Sequence, residues 1–353
     1  MITYAIDINV GYNCNFRCKY CFEKLGDKNY NNTQMSQEVI EKTCEYIEHL
    51  LNTRFKNDKI RLYFYGGEPL LHIDVIESFI TRFCNNEKVS FDITTNGTLI
   101  DKYIDRLVSF KQKTNNKLGI AVSYDYSLQD ANRQEGTYKL IRDNILLIHK
   151  NNIKVSTITV FTKESLQYFD KVVLDFLKLR RQIPYLKLVF NIDRVNASNT
   201  IFDKDKSKEA LSKIKNMFSN SSINVLSDYI KYNDSCRFRN DREPLCIIGA
   251  MYTGFTVDGS MYPMYNILHA PEYVRKLLYL GNVTTDNFEQ LDKNHEILYK
   301  TLNFDAPEQC RSCNIPCRVL PWRTMKSDNI DEFNKMPEEE HCEIHHLLAD
   351  FLR

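Results

Sequence analysis

Short apolar runs and longer amphipathic stretches alternate from the N-terminus to residue 192. The apolar runs are rich in Val, Ile, Tyr, Phe and Thr, which are residue types that favour β-strands. Between them, apolar positions recur with a period near 3.6, which predicts helices with one buried face. In the first of these stretches, Val39, Ile40, Cys44 and Ile47 fall on one face. The predicted strands are residues 5–10, 60–65, 89–94, 118–124, 154–161 and 186–192, and the predicted helices are residues 36–51, 73–84, 101–112, 138–151 and 165–179.

Strands that alternate with helices predict an α/β fold with a parallel sheet and right-handed crossovers. After about residue 205 the alternation stops and cysteines become frequent again. We therefore expect two domains, with residues 1–204 forming the α/β part and residues 205–353 forming a smaller, irregular, cysteine-rich part. In parallel sheets the functional groups gather at the C-terminal ends of the strands.

Charge and composition argue against several classes of protein. The formal net charge is +1 and the pI is about 7.5, so no basic surface for nucleic acid or a membrane is expected. No apolar run approaches the ~20 residues of a transmembrane helix, and the N-terminus lacks the basic region of a signal peptide. Eleven cysteines at clustered spacings fit metal ligation in a reducing compartment better than disulfides. We expect a cytoplasmic protein that binds neither nucleic acid nor a membrane.

A C-x3-C-x2-C triplet, made of Cys14, Cys18 and Cys21, follows the first predicted strand. Three thiolates can bind three irons of a [4Fe–4S] cluster and leave the fourth iron open to a small ligand. A zinc site or unrelated thiols are the alternatives. Zinc would need a fourth Cys or His nearby, and none lies close in the sequence. The triplet therefore predicts an iron–sulfur cluster with an open iron.

The spacing of the triplet, the aromatic Tyr20 before Cys21 and the preceding strand together resemble the radical S-adenosylmethionine (SAM) superfamily. The resemblance implies a partial (β/α)6 TIM-like barrel and a cluster whose open iron binds SAM. It further implies that an electron from the cluster cleaves SAM to a 5′-deoxyadenosyl radical, which the protein aims and shields. The electron donor would be a protein such as flavodoxin or ferredoxin.

Motifs at the ends of the later strands match the SAM-binding positions of this superfamily. Glycines let the backbone approach a ligand closely, and carbonyls of a GGEP motif hold the SAM amino group; an ordinary glycine turn is the alternative. A guanidinium can make bidentate bonds to the SAM carboxylate; an ordinary surface arginine is the alternative. The residues that carry these matches are Gly66, Gly67, Glu68 and Pro69 for the first motif and Arg133 for the second. The resemblance also implies SAM contacts from Tyr20, Thr95, Asn96, Ser123 and, at the adenine, Phe161.

A second cysteine set lies near the C-terminus and consists of Cys310, Cys313, Cys317 and Cys342. Four thiols close a cluster, so this one would carry electrons rather than bind SAM. The set resembles the SPASM extension of radical SAM enzymes that act on ribosomal peptides and proteins. The alternatives are a zinc site, because C-x2-C suits zinc equally well, and a ligand set that includes Cys246.

The usual SPASM pattern holds two auxiliary clusters, and the second cysteine set departs from that pattern. Met264 and Pro321 stand where that pattern has cysteines. The first of the two auxiliary clusters therefore lacks ligands, and we expect one auxiliary [4Fe–4S] cluster. Cys236 and Cys246 are then left over.

These features together predict a radical SAM maturase that modifies a ribosomally made precursor peptide. The reaction that we expect is an intrapeptide crosslink, carbon–carbon or thioether, with the auxiliary cluster accepting an electron as the bond closes. Because the first strand starts so near the N-terminus, we expect no leader-binding domain before the barrel.

Four alternatives remain open. A peptide epimerase could use Cys236 or Cys246 to return a hydrogen atom. An anaerobic sulfatase-maturating enzyme is disfavoured, because Tyr265 and Asn266 occupy the stretch where that family has an Asp base. A small-molecule dehydrogenase would also use one auxiliary cluster. A metal-stabilised binding protein without catalysis would not cleave SAM.

Overall fold

The computed structural model of the chain describes residues 3–21, 34–192, 203–217, 230–232, 251–263 and 272–301. Within these residues, no helix has both the length and the apolar character that crossing a bilayer requires. The strands are β1 (Thr3–Asn9), β2 (Lys59–Tyr65), β3 (Val89–Thr95), β4 (Leu118–Ser123), β5 (Lys154–Phe161), β6 (Leu188–Ile192), β7 (Ile230–Tyr232), β8 (Met251–Phe255), β9 (Ser260–Tyr262) and β10 (Gly281–Asn282). The helices are α1 (Gln37–Asn52), α2 (Ile73–Phe83), α3 (Ile100–Lys113), α4 (Gln129–Asn132), α5 (Tyr138–Lys150), α6 (Phe169–Arg180), α7 (Lys204–Met217), α8 (Glu272–Leu277) and α9 (Phe288–Thr301).

The predicted strands and helices up to residue 192 are confirmed, with ends that differ by a few residues. Helix α1 begins one residue after its predicted start, and the side chain of Ser36 caps it by accepting a hydrogen bond from the Val39 amide at 3.3 Å. The largest difference concerns the helix predicted at residues 165–179. There Ser165–Tyr168 form a 3₁₀ turn, and the α-helix starts at Phe169.

Within the described residues, the strands form one sheet in the order β10-β9-β8-β1-β2-β3-β4-β5-β6-β7. From β1 to β7 each strand pairs in parallel with the next in sequence, and β8 pairs in parallel with the other edge of β1. Parallel neighbours need a crossover connection, which the intervening helices supply. The predicted α/β class with a parallel sheet is therefore confirmed.

Side chains along β2 alternate between a face covered by helices and an inner face. In β2, Ile60, Leu62 and Phe64 are fully buried, whereas Lys59 and Arg61 are exposed. The Phe64 ring lies 5.8 Å from the ring of Phe79 on α2. Burying each such side chain contributes about 1.5–3 kcal/mol. The helix-covered face thus carries the stability, which leaves the inner face and the strand ends free for polar groups.

The sheet continues past the predicted boundary between residues 204 and 205. Helix α7 begins at Lys204 and buries Ala210, Leu211 and Ile214 in the same core as the first six strands. Strand β7 lies beside β6, and β8 lies beside β1. The division into two domains stays a prediction, and the cysteines of the second part lie outside the described residues.

Helix α9 packs on α1 through two polar contacts of Asp292 and through the ring of Phe288. The Tyr46 hydroxyl donates to Asp292 Oδ1 at 2.7 Å, and His49 Nε2 lies 2.8 Å from Asp292 Oδ2. The rings of Tyr46 and Phe288 are 5.2 Å apart. Because Tyr46 is fully buried, its hydroxyl relies on an acceptor inside the protein.

Replacing Asp292 by Ala should lower the free energy of unfolding by about 1–3 kcal/mol, because a buried hydroxyl loses an acceptor. The control Tyr46→Phe removes the donor as well and should cost less, about 0.5–1.5 kcal/mol. Urea denaturation measures both values. If Asp292→Ala costs no more than Tyr46→Phe, the contact between α1 and α9 is apolar only.

Candidate active site

The loops that follow β1 to β4 meet at the C-terminal edge of the sheet. The loop after β1 carries the thiols of Cys14, Cys18 and Cys21. Its Lys19 amide donates to the carbonyl of Asn132, which lies beyond β4, at 2.9 Å. The cysteine triplet and the segment before Arg133 are thereby joined, although more than a hundred residues separate them in the sequence.

The three thiols are half-buried on a loop that the buried side chain of Phe16 fixes. The Phe16 amide donates to Cys14 Sγ at 3.4 Å. Burial raises the pKa of Cys14 to about 12 and also raises the pKa of Cys18, so these two thiols must lose protons to bind iron. Among the described residues, no three metal-ligating side chains converge on one ion. A four-iron cluster binds each thiolate through its own iron, and a cluster at these three thiols stays a prediction.

The two glycines after β2 make room for the cysteine loop. A Cβ on Gly66 would lie 2.2 Å from the carbonyl oxygen of Gly11, and one on Gly67 would lie 2.2 Å from that of Asn13. The Gly67 amide donates to Gly11 at 2.9 Å, and the Glu68 amide donates to Asn13 at 2.7 Å. The sequence predicted that these glycines let a ligand approach. The structure shows that the backbone they admit is that of the cysteine loop, and contact of their carbonyls with SAM stays a prediction.

The carboxylate of Glu68 is fully buried and joins the loops after β2 and β3. It accepts hydrogen bonds from the Leu70 amide at 3.0 Å, the Thr95 hydroxyl at 2.6 Å and the Asn96 amide at 2.7 Å. Burial raises the pKa of Glu68 to about 7, against these hydrogen bonds, which favour the anion. Pro69 begins the following 3₁₀ turn. The Glu68 side chain is thus engaged by the protein itself, and its described role is to hold the two loops together.

Asn15, between the first two cysteines, connects their loop to the loop after β3. Its Nδ2 donates to the Thr98 hydroxyl at 2.8 Å, and its Oδ1 accepts from Asn96 Nδ2 at 2.7 Å. The Thr98 amide donates to Asn96 Oδ1 at 3.0 Å. Sequence reasoning missed Asn15, since no local pattern marks a hydrogen bond to a residue so far along the chain. The side chain of Asn96, a predicted SAM contact, is therefore bonded to the cysteine loop.

Ser123 and Phe161, two further predicted SAM contacts, differ in their surroundings. Ser123 ends β4 and is half-buried at the strand edge. Phe161 is fully buried, and its ring lies 5.4 Å from the Phe169 ring and 6.0 Å from the Phe190 ring. The ring of Phe161 is thus part of the core, and its predicted contact with the adenine stays a prediction.

Asp125, just past the end of β4, has a fully buried carboxylate at the centre of the site. Its Oδ2 accepts from the Tyr20 hydroxyl at 2.5 Å. Its Oδ1 lies 3.3 Å from Arg133 Nη2 and accepts from the Val160 amide at 3.1 Å. The Asp125 amide donates to Gln129 Oε1 at 3.0 Å. Sequence reasoning did not single out Asp125, although it stands two residues after Ser123.

Arg133 is a buried residue of the site rather than a surface arginine, being 9% exposed. Its Nη1 lies 4.0 Å from Cys18 Sγ, and its guanidinium carbon lies 5.2 Å from the centre of the Tyr20 ring. Its carboxylate partner in the protein is Asp125, whereas its Nε is buried without a hydrogen-bond partner. Unpartnered buried donors are rare in native proteins. The unpartnered Nε belongs to the same guanidinium whose Nη1 lies near Cys18, and contact of Arg133 with the carboxylate of SAM stays a prediction.

The remaining predicted ligands, Cys310, Cys313, Cys317 and Cys342, lie outside the described residues. The auxiliary cluster therefore stays a prediction.

Comparison with known proteins bears out the resemblance. The model of the radical SAM superfamily matches residues 8–176. A cysteine-type anaerobic sulfatase-maturating enzyme of Clostridium novyi (strain NT) is 26% identical over 320 residues, which cover 83% of this chain and 83% of that protein. The radical SAM cyclopropyl synthase TigE of Paramaledivibacter caminithermalis is 27% identical over 188 residues, which cover 49% of this chain and 38% of TigE.

Two solved structures show the same fold at low identity. The structure of native anSMEcpe with bound AdoMet has a TM-score of 0.69 and 20% identity, covering 99% of this chain and 98% of that one. Streptococcus suis SuiB bound to its precursor peptide SuiA has a TM-score of 0.64 and 13% identity, covering 95% of this chain and 75% of SuiB. At these identities the likeness is one of fold alone.

Replacing Glu68 by Gln should destabilise the protein by about 1–3 kcal/mol, because an amide N–H then faces the Asn96 amide in place of an acceptor. This difference in unfolding free energy between wild type and Glu68→Gln should depend on pH. The pKa of Glu68 rises from 4.5 in the unfolded chain to about 7 in the fold. Between these values the folded protein keeps a proton that the unfolded chain has lost, so this part of the stability falls as the pH rises.

The difference in unfolding free energy between wild type and Glu68→Gln should therefore shrink as the pH rises from 4.5, the ordinary pKa of Glu68, to about 7, its pKa in the fold. Above that pH the difference should stay constant. Urea denaturation across this range measures it, with the exposed Glu164→Gln as the matched control. A gap that widens as the pH rises would mean that Glu68 is ionised throughout and held by its hydrogen bonds.

Proposed function

We propose, from the premise that this chain is an enzyme with a radical SAM domain at residues 8–176, that it is a maturase acting on a ribosomally made precursor peptide. The reaction that we propose is an intrapeptide crosslink, carbon–carbon or thioether. The observation that carries the SAM-dependent part of the proposal is the site at one edge of the sheet. There the thiol of Cys18 lies 4.0 Å from Arg133, which is buried and has an unpartnered N–H.

The superfamily implies a [4Fe–4S] cluster and SAM, and the residues of this site fit both. Cys14, Cys18 and Cys21 would hold the cluster, and Arg133 would bind the SAM carboxylate through its free N–H. The half-buried Ser123 is open to a polar group of the same ligand. When bound, the cluster and SAM supply the radical chemistry that removes a hydrogen atom from the substrate.

Two features support a peptide substrate: the sequence similarity of the chain to known enzymes and its second cysteine set. The chain is related to a sulfatase-maturating enzyme over 83% of its length and to a cyclopropyl synthase over 49%. The auxiliary cluster that we propose at Cys310, Cys313, Cys317 and Cys342 would accept the electron released when a crosslink closes. The remaining partners in this proposal are a precursor peptide and an electron donor such as flavodoxin or ferredoxin.

Formylglycine formation on a sulfatase is the second candidate. It is favoured by the sulfatase-maturating relative, whose match covers 83% of both proteins. It is disfavoured by Tyr265 and Asn266, which stand where that family has an Asp base. Neither side chain can serve as a carboxylate base for the aldehyde-forming step, so we place crosslinking first.

Anaerobically reconstituted protein should bind about eight irons, four in each of two clusters. The variant with Cys14, Cys18 and Cys21 all replaced by Ala should lose about half of the iron and all SAM cleavage. Replacing the helix-buried Cys44 by Ala is the matched control and should change neither quantity. Iron content, metal analysis and 5′-deoxyadenosine formation are the measurements. Zinc in the wild type, or loss of all iron from the triple variant, would contradict the two-cluster arrangement.

Incubation with reductant, SAM and a precursor peptide encoded near the gene should yield a product about 2 Da lighter than the peptide. The mass falls because an oxidative crosslink removes two hydrogens, and the cofactors carry the redox chemistry. Replacing Cys310 or Cys313 by Ala should stop the crosslink while leaving some SAM cleavage, since the first cluster remains. Mass spectrometry of the peptide and quantification of 5′-deoxyadenosine give the two readouts.

Other products would point to the alternatives. An unchanged mass with one solvent deuterium incorporated would indicate epimerisation. Conversion of a sulfatase cysteine to an aldehyde would indicate formylglycine formation. Turnover of a small alcohol, without response to any peptide, would indicate a dehydrogenase.

A further inference from the structure

We propose that Asp125 is a positioning residue, which holds the Arg133 guanidinium between Cys18 and Tyr20 and so sets the net charge beside the cysteine loop. The inference rests on the proposed cluster at Cys14, Cys18 and Cys21. It requires nothing of the peptide substrate or of the auxiliary cluster.

The first observation is that Asp125 is immobilised by partners other than Arg133. Its carboxylate accepts from the Tyr20 hydroxyl at 2.5 Å and from the Val160 amide at 3.1 Å. Its own amide donates to Gln129 Oε1 at 3.0 Å. With the carboxylate held in this way, Arg133 takes its orientation from Asp125, at 3.3 Å from Nη2 to Oδ1.

A second, independent observation is the backbone immediately after Asp125. Tyr126 has a φ of 53°, a left-handed conformation that is costly for any residue other than glycine. Burial holds it there: its ring lies 4.6 Å from the Tyr124 ring and 6.0 Å from the Phe176 ring, and its hydroxyl lies 2.7 Å from the Thr157 hydroxyl. Strained residues that packing holds in place concentrate at functional sites. Here the strain fixes the direction in which the chain leaves Asp125.

The third observation is the position of the two charges. The side chains of Asp125 and Arg133 are 0% and 7% exposed, so water screens them little. Arg133 Nη1 lies 4.0 Å from Cys18 Sγ. Nearby charge and hydrogen bonds to cluster sulfurs set the reduction potential, and groups behind the ligands tune it. Arg133 should favour the more negative, reduced cluster, while Asp125 should offset that effect.

The test is the midpoint potential of the SAM-binding cluster in the full-length protein. An EPR-monitored redox titration can follow the signal that SAM addition perturbs, which separates this cluster from the auxiliary one. Asp125→Asn keeps the shape of the side chain and an acceptor oxygen for Arg133 but removes the negative charge, so the potential should shift upward. Arg133→Gln removes the cation, so the potential should shift downward.

The double variant Asp125→Asn, Arg133→Gln should return close to the wild-type potential, because the pair is removed together. Asp143→Asn removes the same charge from an exposed position on α5 and should leave the potential unchanged. A purely structural Asp125 would lower the unfolding free energy without shifts of opposite sign.

Unchanged potentials in cluster-bearing Asp125→Asn and Arg133→Gln proteins would overturn the inference. Should Asp125→Asn fail to take up a cluster, Arg133→Gln decides: a lowered potential supports the charge assignment, and an unchanged one overturns it. A wild type that binds no iron at the triplet would overturn the proposed function and this inference together. A failed crosslinking assay with shifted potentials would overturn only the proposed reaction.

Discussion

The close approach of two backbone segments, those after β1 and after β2, is the contact on which the rest of the site depends. Gly66 and Gly67 lie so near Gly11 and Asn13 that a side chain on either glycine would collide with a carbonyl oxygen. Gly66 also has a φ of 146°, which only glycine adopts readily. The hydrogen bonds made across this contact place the cysteine loop on the edge of the sheet and, at the same time, direct Glu68 into the interior.

Two buried carboxylates then organise the site in different ways. Glu68 is surrounded by N–H and O–H donors without a cation, and burial raises its pKa to about 7. Asp125 has Arg133 against it at 3.3 Å as well as neutral donors. Burial thus disfavours the ionised form of Glu68, whose hydrogen bonds join the loops after β2 and β3. A paired carboxylate brings a cation with it, and that cation lies beside Cys18.

Local sequence patterns predicted the framework well because their causes are local. Strand and helix periods and the cysteine spacing each span a few residues. What the sequence could not predict depends on distant pairing. Asn15 contacts Thr98 and Tyr20 contacts Asp125, at separations of 83 and 105 residues, and no short pattern records such bonds. The burial of Phe161, in contrast, follows from a local pattern. Alternation along β5 puts Phe161 on the same buried face as Thr157 and Thr159.

The site described here constrains the radical-generating step more than the final reaction. The sulfatase-maturating relative and TigE share the superfamily but carry names for different products. Both kinds of reaction begin with removal of one hydrogen atom from the substrate. They differ in what happens to the remaining unpaired electron of the substrate radical. A substrate radical that must close a crosslink needs an electron acceptor, and we propose one at the thiols of Cys310, Cys313, Cys317 and Cys342. Oxidation of a side chain to an aldehyde needs an electron acceptor as well, so the preference for bond formation in our proposal rests on the lack of an acidic side chain at residues 265 and 266. In this proposal the choice of reaction depends on residues in the C-terminal part of the chain, whereas the choice of SAM as cofactor depends on the edge of the sheet.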